Sequence, residues 1–446
     1  MYDELPQMKV PIPGPISKKI LEICKKYECT GLKTFLDKNP IVYKETKDAL
    51  IEDADGNTFL DITGSFSAIS IGHGNQNVVK AICSQAKKCI HAPSNNPTPI
   101  RAEFILQLMK IAPKSLNRVC FAVTGTEANE IAVKLSKSYT KKYEFITFYG
   151  CYFGRSLMAL RLGSKRKFKN ILPLGGEAYF MPYPYCYRCI FQLEYPKCGM
   201  LCLQYLKDAL RNPVSGLGNI GAIFLEPIEG SGGIIIPPKN FLQELRNICN
   251  EYNILLILDE IQTGFGRTGK MWASDYENIV PDIMTIGKGI GGGLPVAAVL
   301  GKEGIMTSWK PGSHTTTFLT NAVLQSSSIA TIKELLEKDY LKIISNKGIY
   351  FLNSLKKLEN EFDFIGDVRG KGLLIGVEFV KSRKTKKPAM EETKLFVEQC
   401  LKEGILVQIG GWYDNVLRIS PPYTITEKQI DYTINVFYEI LKKMTS

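Results

Sequence analysis

A lysine and two carboxylates stand at the ends of two short apolar segments. Residues 254–258 form a continuous apolar run that ends directly in Asp259 and Glu260, and the apolar run 283–286 is followed two residues later by Lys288. Such short runs predict strands that are buried on both faces of a parallel sheet. Ligands of open α/β sheets bind at the carboxyl ends of the strands. A lysine there can form a Schiff base with an aldehyde, and an acid can hold a protonated ring nitrogen, so we expect a site for an aldehyde cofactor.

The residues around this lysine and acid match a family signature. Residues 259–269 read Asp-Glu-Ile-Gln-Thr-Gly-Phe-Gly-Arg-Thr-Gly, and residues 287–289 read Gly-Lys-Gly. This pattern resembles that of the class III aminotransferases, which use pyridoxal 5'-phosphate (PLP). The resemblance implies that Lys288 carries PLP, that Asp259 pairs with its pyridine nitrogen, that Gln262 contacts the ring hydroxyl and that Ile261 packs on one ring face. A solvated lysine and a helix-capping aspartate are the ordinary alternatives for either residue alone, and the joint pattern favours the cofactor site.

A second strand predicts the phosphate site. Residues 119–123 are apolar and lead through Thr-Gly-Thr-Glu-Ala-Asn-Glu into a helix that we expect over 128–139. Free N–H groups at a helix N-terminus bind anions, and a glycine lets the anion approach closely. The family has a similar Gly-Ser/Thr-Glu-Ala-x-Glu motif, so the resemblance assigns the PLP phosphate to Gly125 and Thr126.

Other motifs of the same family predict ring and substrate contacts. Gly-Cys-Tyr-Phe-Gly-Arg at 150–155 implies that Tyr152 stacks on the cofactor ring; Phe153 stands where the family has histidine. Glu-Pro after the apolar run 222–225 and Leu-Arg-Ile-Ser-Pro-Pro at 417–422 also match the family. The resemblance gives the substrate-binding residues as Phe66, Arg155, Glu226 and Arg418. We interpret His73, in Gly-His-Gly, as structural.

The motif His-Thr-Thr-Thr-Phe-Leu-Thr-Asn at 314–321 predicts a shared active site. Its family counterpart places a threonine on the phosphate of the neighbouring subunit's cofactor, and Thr317 matches that threonine. Leu319 and Thr320 replace two glycines of the family pattern. The resemblance implies a homodimer whose sites are shared between subunits.

The order of apolar runs and helical patterns predicts an α/β fold. The β-α-β rhythm is that of a doubly wound sheet, and the resemblance implies PLP fold type I, with a large, mostly parallel sheet domain and a smaller α+β domain from both termini. We expect an N-terminal arm and part of the small domain over 1–62, the PLP-binding domain over 63–325 and the rest of the small domain over 326–446. Within these limits we predict a helix over 17–27 capped by Ser17, a hairpin in 41–62 and a long helix over 325–341.

Composition narrows the classes of protein. The 446 residues carry a formal net charge of +12, which could attract nucleic acid, but no nucleic-acid motif accompanies it. We interpret the basic runs 165–169 and 383–387 as exposed loops. No N-terminal signal pattern and no apolar run of roughly 20 residues is present, so we expect a cytoplasmic protein without membrane spans.

Four cysteines leave their chemistry open. Cys186, Cys189, Cys198 and Cys202 have the spacing C-x2-C-x8-C-x3-C. Zinc or an iron–sulfur cluster, a disulfide, and four plain thiols around an aromatic excursion are all consistent with that spacing. We assign no metal.

The predicted activity is transamination. The two arginines, Arg155 and Arg418, fit a dicarboxylate, and the resemblance implies that Glu226 neutralises Arg418 when an ω-amino acid binds. We therefore expect an ω-amino acid of the 4-aminobutyrate type as donor and 2-oxoglutarate as acceptor. Acetylornithine or ornithine as donor, an amino-acid racemase or epimerase on the same scaffold, and a non-catalytic PLP or metal protein are the alternatives.

Overall fold

Fifteen strands make up three sheets in the part of the chain that the structure describes. This structure, a computed structural model, describes residues 4–31, 40–169 and 178–445. The strands are β1 (Tyr43–Lys47), β2 (Leu50–Asp53), β3 (Thr58–Asp61), β4 (Arg118–Ala122), β5 (Glu144–Phe148), β6 (Ala178–Met181), β7 (Ile220–Leu225), β8 (Leu255–Asp259), β9 (Ile283–Ile286), β10 (Ala297–Gly301), β11 (Ile365–Lys371), β12 (Leu374–Phe379), β13 (Ile405–Leu406), β14 (Gln408–Gly410) and β15 (Val416–Ile419).

The central sheet has seven strands in the order β4-β10-β9-β8-β7-β5-β6. Its strands β6, β5, β7, β8 and β9 run parallel to one another, whereas β10 runs antiparallel to both of its neighbours. Every residue of β7 and β9 is buried, as expected for strands covered by helices on both faces. The α/β fold with a mostly parallel sheet is confirmed.

Helices surround the sheet and join it to the rest of the chain. The α-helices of the described residues are Pro15–Tyr27, Gln76–Ala86, Pro99–Ile111, Gly125–Thr140, Leu157–Leu162, Arg166–Lys169, Leu201–Arg211, Phe241–Glu251, Glu303–Met306, Ala322–Glu337, Tyr340–Glu361, Met390–Lys402 and Glu427–Thr445, and the short segment Gly64–Ser67 is a left-handed turn. Short 3₁₀ turns lie at Cys186–Arg188, Ala273–Tyr276 and Lys288–Gly291. No helix among the described residues has both the length and the apolar character needed to cross a bilayer.

Two four-stranded sheets complete the architecture. One has the order β1-β2-β3-β13, and the predicted hairpin of residues 41–62 forms its first three strands. Its last strand comes from the C-terminal part of the chain, where Ile405 pairs with Leu60. The other sheet has the order β11-β12-β15-β14. The N-terminal and C-terminal parts of the chain therefore share a sheet, while the proposed domain limits stay a prediction.

The cap predicted for the first helix is wrong. The helix begins at Pro15, so Ser17 lies inside its first turn, where it is buried. The carboxylate of Asp55 accepts the backbone N–H groups of Ile16 at 2.8 Å and Ser17 at 2.9 Å. A carboxylate from a distant turn thus satisfies the free donors that we had assigned to a local hydroxyl.

Two further expectations need correction. The predicted helix 325–341 is interrupted: Ala322–Glu337 ends before Asp339, which adopts a left-handed conformation, and Tyr340–Glu361 begins a new helix. The run 165–169 is not wholly an exposed loop, since the side chain of Lys165 is only 13% exposed and its ammonium donates to the carbonyl of Gly411 at 2.8 Å. A hydrogen bond to the backbone of the C-terminal region accounts for the burial of this lysine.

Candidate active site

Lys288 and Asp259 lie at the carboxyl ends of two neighbouring strands. Asp259 is the last residue of β8, and it pairs in parallel register with Thr285 of β9. Lys288 follows that strand by two residues and has a φ of 45°. A side chain in the left-handed region is strained, and such strain clusters at functional sites. The geometry brings together the acid and the lysine that the sequence predicted.

The acid is buried and held by two hydrogen bonds. Asp259 is buried, and its two carboxylate oxygens accept the backbone N–H of Ile261 and the side-chain amide of Asn129, each at 2.9 Å. Burial raises the pKa of Asp259 to about 6, although these hydrogen bonds and the charge of Lys288 oppose the shift. Burial and then the positive charge of Arg418 lower the pKa of Lys288 to about 8. The lysine therefore becomes neutral at a far lower pH than an exposed lysine.

The predicted anion site is the N-terminus of helix Gly125–Thr140. Thr124 caps this helix by accepting the N–H of Glu127 at 3.2 Å, and the Glu127 carboxylate accepts the N–H of Val123 at 2.7 Å. A side chain at Gly125 would come within 2.9 Å of Ile261. Only glycine lets the start of this helix pack this tightly against Ile261.

Glu226 joins the ring-stacking loop to the end of β7. Its buried carboxylate accepts the N–H of Tyr152 at 2.8 Å and the N–H of Gly230 at 2.9 Å. Burial and then the charge of Asp259 raise its pKa to about 7. The ring of Tyr152 contacts the ring of Phe168, with centroids 6.0 Å apart. The predicted ring-stacking residue is thus fixed through its own backbone.

Arg418 lies on the opposite wall, beside Gln262. Its guanidinium Nη2 is 3.5 Å from the Gln262 side-chain oxygen, and its Nε is buried without a hydrogen-bond partner. The Gln262 amide also donates to the hydroxyl of Ser67 at 3.0 Å, which connects this wall to the loop that carries Phe66. Arg418 and Glu226 form no ion pair within 4.0 Å in this structure. The arginine is therefore open to an anionic group.

The remaining predicted residues lie outside this buried set. Arg155 is exposed, and its guanidinium lies 4.3 Å from the centroid of the Phe168 ring. Phe66 is 55% exposed, and its backbone has a φ of 63°. Thr317 is exposed in a turn, where its side chain makes no hydrogen bond to the described residues. The roles predicted for these three residues stay predictions.

The sequence analysis missed one polar residue of this site, Asn129, and three residues that pack outside it, Glu229, Trp412 and Lys165. Asn129 could have been found, because it lies one turn into the helix whose start was assigned to the phosphate. Glu229, Trp412 and Lys165 gave no comparable signal, since long-range packing brings them together. Trp412 donates to Glu229, and Lys165 bonds the residue before Trp412.

The four cysteines line one apolar pocket near residues 183–202. All twelve cysteines of the chain are free, and the described residues include no cluster of three or more ligands that could hold a metal ion. Burial raises the pKa of Cys202 to about 11, and burial also raises the pKa of Cys186. The disulfide alternative is therefore not observed for these four thiols, and the raised pKa values make Cys186 and Cys202 poor nucleophiles.

The sequence matches one family model over nearly its whole length. Residues 35–441 match the model described as aminotransferase class-III. The chain belongs to the class III aminotransferases. Enzymes of this family depend on PLP, and PLP is the cofactor of this chain.

Similar proteins within this family have different activities. The chain is 36% identical to a leucine/methionine racemase from Thermococcus litoralis, over 88% of each chain. It is 32% identical to an acetylornithine aminotransferase from Methanothermobacter thermautotrophicus (96% of this chain, 100% of the other) and 30% identical to a diaminobutyrate–2-oxoglutarate aminotransferase from Haemophilus influenzae (92% of each). An (S)-enantioselective omega-transaminase from Thermomicrobium roseum has a similar structure, with a TM-score of 0.88 at 25% identity over 96% of this chain and 99% of that one.

The residues present fit PLP. The carboxyl of Asp259 receives only neutral donors, so it can accept one from a protonated pyridine nitrogen. The buried side-chain oxygen of Asn129 has no hydrogen-bond partner among the described residues. A side chain at Gly154 would come within 2.0 Å of the Thr126 hydroxyl, so the backbone closes tightly on the helix start. The acceptors of Asp259 and Asn129 fit the protonated ring of the cofactor, and the helix start at Gly125 and Thr126 fits its phosphate.

Proposed function

We propose that this chain transfers an amino group from an ω-amino acid to 2-oxoglutarate. The observation that carries the proposal is Arg418, whose buried, unpartnered Nε lies on the wall of the site that holds Lys288 and Asp259. An arginine with free donors binds a carboxylate in a bidentate pair. The acetylornithine, diaminobutyrate and omega-transaminase relatives support an amine remote from a carboxylate, and the printed name of the diaminobutyrate enzyme supports 2-oxoglutarate.

The chain's residues divide the chemistry as follows. PLP supplies an aldehyde for the amino group and a ring that accepts electrons. The Nζ of Lys288 takes the proton from the substrate carbon that bears the amino group and, with PLP bound, would deliver it to the carbon that was the aldehyde carbon of PLP, which the lowered pKa of Lys288 favours near neutral pH. The carboxylate of Asp259 holds a proton on the pyridine nitrogen. Burial of both groups excludes water from the proton transfer.

Arg418 and Glu226 distinguish the two half-reactions in this proposal. Glu226 accepts two backbone N–H groups and leaves Arg418 unpaired, which is the arrangement that suits the α-carboxylate of glutamate. An ω-amine presents no α-carboxylate, and for it Glu226 would move to pair with the arginine. Arg155 is the proposed partner of the distal carboxylate, and its exposure on Phe168 leaves it free to turn toward the substrate.

A donor screen tests this function. The PLP-loaded protein is incubated with 2-oxoglutarate and single donors: 4-aminobutyrate, acetylornithine, ornithine, diaminobutyrate, and alanine as an α-amino control. Glutamate formation should be fastest with an ω-amine. Glutamate formation with alanine but with none of the ω-amines would contradict the proposal.

Racemisation of an α-amino acid is the second candidate function. The observation that favours it is the 36% identity to a leucine/methionine racemase over 88% of each chain. The two functions separate when one enantiomer of methionine or leucine is supplied without any 2-oxo acid. A racemase converts it continuously, whereas an aminotransferase stops after one turnover per site.

We also propose a homodimer in which Thr317 serves the neighbouring subunit's site. Mixed dimers of a Lys288→Ala chain and a Thr317→Ala chain would then contain one doubly defective site and one intact site. Such mixed dimers should regain about half of the activity that an intact dimer shows. Activity no higher than that of either parent, with mixed dimers demonstrated, would place Thr317 in its own subunit's site.

A further inference from the structure

The carboxyl group of Glu229 is buried and forms no ion pair among the described residues. Glu229 follows Glu226 by three residues, and none of its surface is exposed. Its Oε2 accepts the indole N–H of Trp412 at 3.1 Å, and its Oε1 lies 3.9 Å from the thiol of Cys151. No lysine, arginine or histidine of the described chain forms an ion pair with it. Burying an unpaired carboxylate is costly enough that such a group normally takes up a proton instead.

Two glycines, which have no side chains, leave the space that the Glu229 carboxyl occupies. A side chain at Gly150 would come within 2.2 Å of both the Glu229 Oε2 and the Trp412 Nε1, and one at Gly232 within 1.9 Å of the same oxygen. Gly150 precedes the ring-stacking Tyr152 by two residues, and its own N–H donates to Ser164 at 2.7 Å. The carboxyl therefore lies directly against the backbone of the loop that carries Tyr152.

The groups that face Glu229 favour its neutral form. Burial and then the charge of Glu226 raise the pKa of Glu229 well above that of an ordinary glutamate, while Trp412, Lys165 and Arg369 oppose the shift. The other titratable neighbours, Cys151 and Tyr183, have strongly raised pKa values themselves, first because of burial. They add no positive charge.

Both cations near Glu229 are committed to other partners. Arg369 binds Asp367 at 2.6 Å and Glu378 at 2.7 Å. Lys165 donates to the carbonyl of Gly411 and lies 3.8 Å from Asp414. Neither is therefore available to pair with Glu229.

Trp412 links this carboxyl to the arginine wall. It follows β14, which pairs with β15, the strand that carries Arg418. The stem of Arg418 crosses Gly410 so closely that a side chain there would come within 2.2 Å of its Cδ. The N–H of Gly411 donates to the carbonyl of Ser231 at 3.2 Å, so this bond and the Trp412–Glu229 bond join residues 411–412 to the turn of Glu229.

We propose that Glu229 is a neutral carboxylic acid that positions Trp412, and through it the β14–β15 hairpin with Arg418, against the loop that carries Tyr152. In this role Glu229 sets the separation between the ring-stacking residue and the carboxylate-binding arginine. Its neutrality also keeps a further negative charge away from the anionic substrate. The kinetic consequence rests on the function proposed above for Arg418, whereas the protonation state does not.

Two substitutions separate the parts of this proposal. Glu229→Gln keeps the size, the acceptor for Trp412 and the absence of charge, so KM for 2-oxoglutarate and kcat should stay within about threefold of wild type. Glu229→Leu leaves the buried indole N–H without an acceptor, so KM for 2-oxoglutarate should rise about tenfold, with a smaller change in kcat. If Gln is as damaging as Leu, Glu229 acts as a charged group and the proposal is overturned. If Leu leaves KM unchanged, Glu229 does not position the hairpin.

Infrared difference spectroscopy tests the protonation state without any turnover. Wild type minus Glu229→Gln, at neutral pH, should show the C=O band of one protonated carboxyl group. Glu378→Gln is the matched control, because Glu378 is buried in two ion pairs and its substitution should remove carboxylate bands only. Loss of carboxylate bands in Glu229→Gln would overturn the proposal even if no substrate were known, and it would leave the aminotransferase proposal untouched.

Discussion

Two groups of buried charged residues in this molecule are built on opposite principles. In the first, the Glu378 cluster, the carboxylate of Glu378 accepts hydrogen bonds from Arg188, Arg369 and Tyr185. Burial alone would raise the pKa of Glu378, but the two arginines outweigh it and the pKa is lowered. Each charge in this cluster has an opposite charge in contact with it.

In the second group, the strand-end cluster of Asp259, Lys288 and Glu226, burial prevails. The pKa values of the two acids are raised and that of the lysine is lowered, so all three are shifted toward their neutral forms. Paired charges hold strands together, whereas uncompensated ones can gain and lose protons near neutral pH. We therefore predict that the Glu378 cluster serves stability and that the strand-end cluster serves chemistry.

Removing the lysine should give the largest effect. Lys288→Ala deletes both the covalent attachment of PLP and the group that moves the proton, so turnover should fall at least about 10³-fold. Its free energy of unfolding should stay within about 1 kcal/mol of wild type, because no salt bridge is lost. Steady-state kinetics and urea unfolding measure the two quantities, and a strongly destabilised variant would place Lys288 with the structural residues.

Removing the structural acid, Glu378, should affect stability more than turnover. Glu378→Gln leaves Arg188 and Arg369 buried without their shared carboxylate, so the free energy of unfolding should fall by about 3–5 kcal/mol. The pKa of Glu378 is lowered in the folded protein. The loss of stability in the variant should therefore be largest above the unfolded pKa of about 4.3, and it should shrink as the pH falls through the pKa of the folded protein. Urea unfolding of both proteins from pH 3 to pH 7 checks it, and a pH-independent difference would contradict the ion-pair account.

The rate at which PLP attaches to the cofactor-free protein should report the pKa of Lys288. Only the neutral amine attacks an aldehyde, so the rate should rise with pH to a midpoint of about 8 rather than the 10.5 of an ordinary lysine. Arg418→Ala removes a positive charge that contributes to this lowering, so the midpoint should move upward. Stopped-flow absorbance at a series of pH values measures it. An unchanged midpoint would remove Arg418 from the electrostatic environment of Lys288.

The smallest expected effect is on stability at Glu229. The folded pKa of this group is raised, so the wild-type protein loses stability as the pH rises above the unfolded value of about 4.3. Glu229→Gln removes that loss, and its stability relative to wild type should increase by up to about 1.4 kcal/mol per pH unit between pH 5 and pH 7. Chemical unfolding of both proteins at three pH values measures this difference. If the stability of Glu229→Gln relative to wild type decreased as the pH rises, Glu229 would be ionised in the folded protein.

The sequence predicted the parts of the site that depend on local pattern. The strand ends at Asp259 and Lys288 were predictable because a buried parallel strand needs a short, unbroken apolar run, and the glycine before Thr126 marked the helix start. Residues that depend on distant partners were not predictable. Ser17 loses its capping role to Asp55, and Lys165 is buried because it reaches Gly411, 246 residues away in the sequence. Glu229 is neutral because it is buried without an ion-pair partner among the described residues, and no local sequence pattern records that arrangement.

The most direct test of the account is to identify the lysine that carries PLP. Lys165 is the fitting competitor, since burial lowers its pKa to about 8 as well and it lies close to the same arginine wall. The PLP-loaded protein is reduced with borohydride, digested and mapped by mass spectrometry. The account predicts the label on the peptide that contains Lys288 and none on the peptide that contains Lys165. Label on Lys165, or on any lysine other than Lys288, would contradict it.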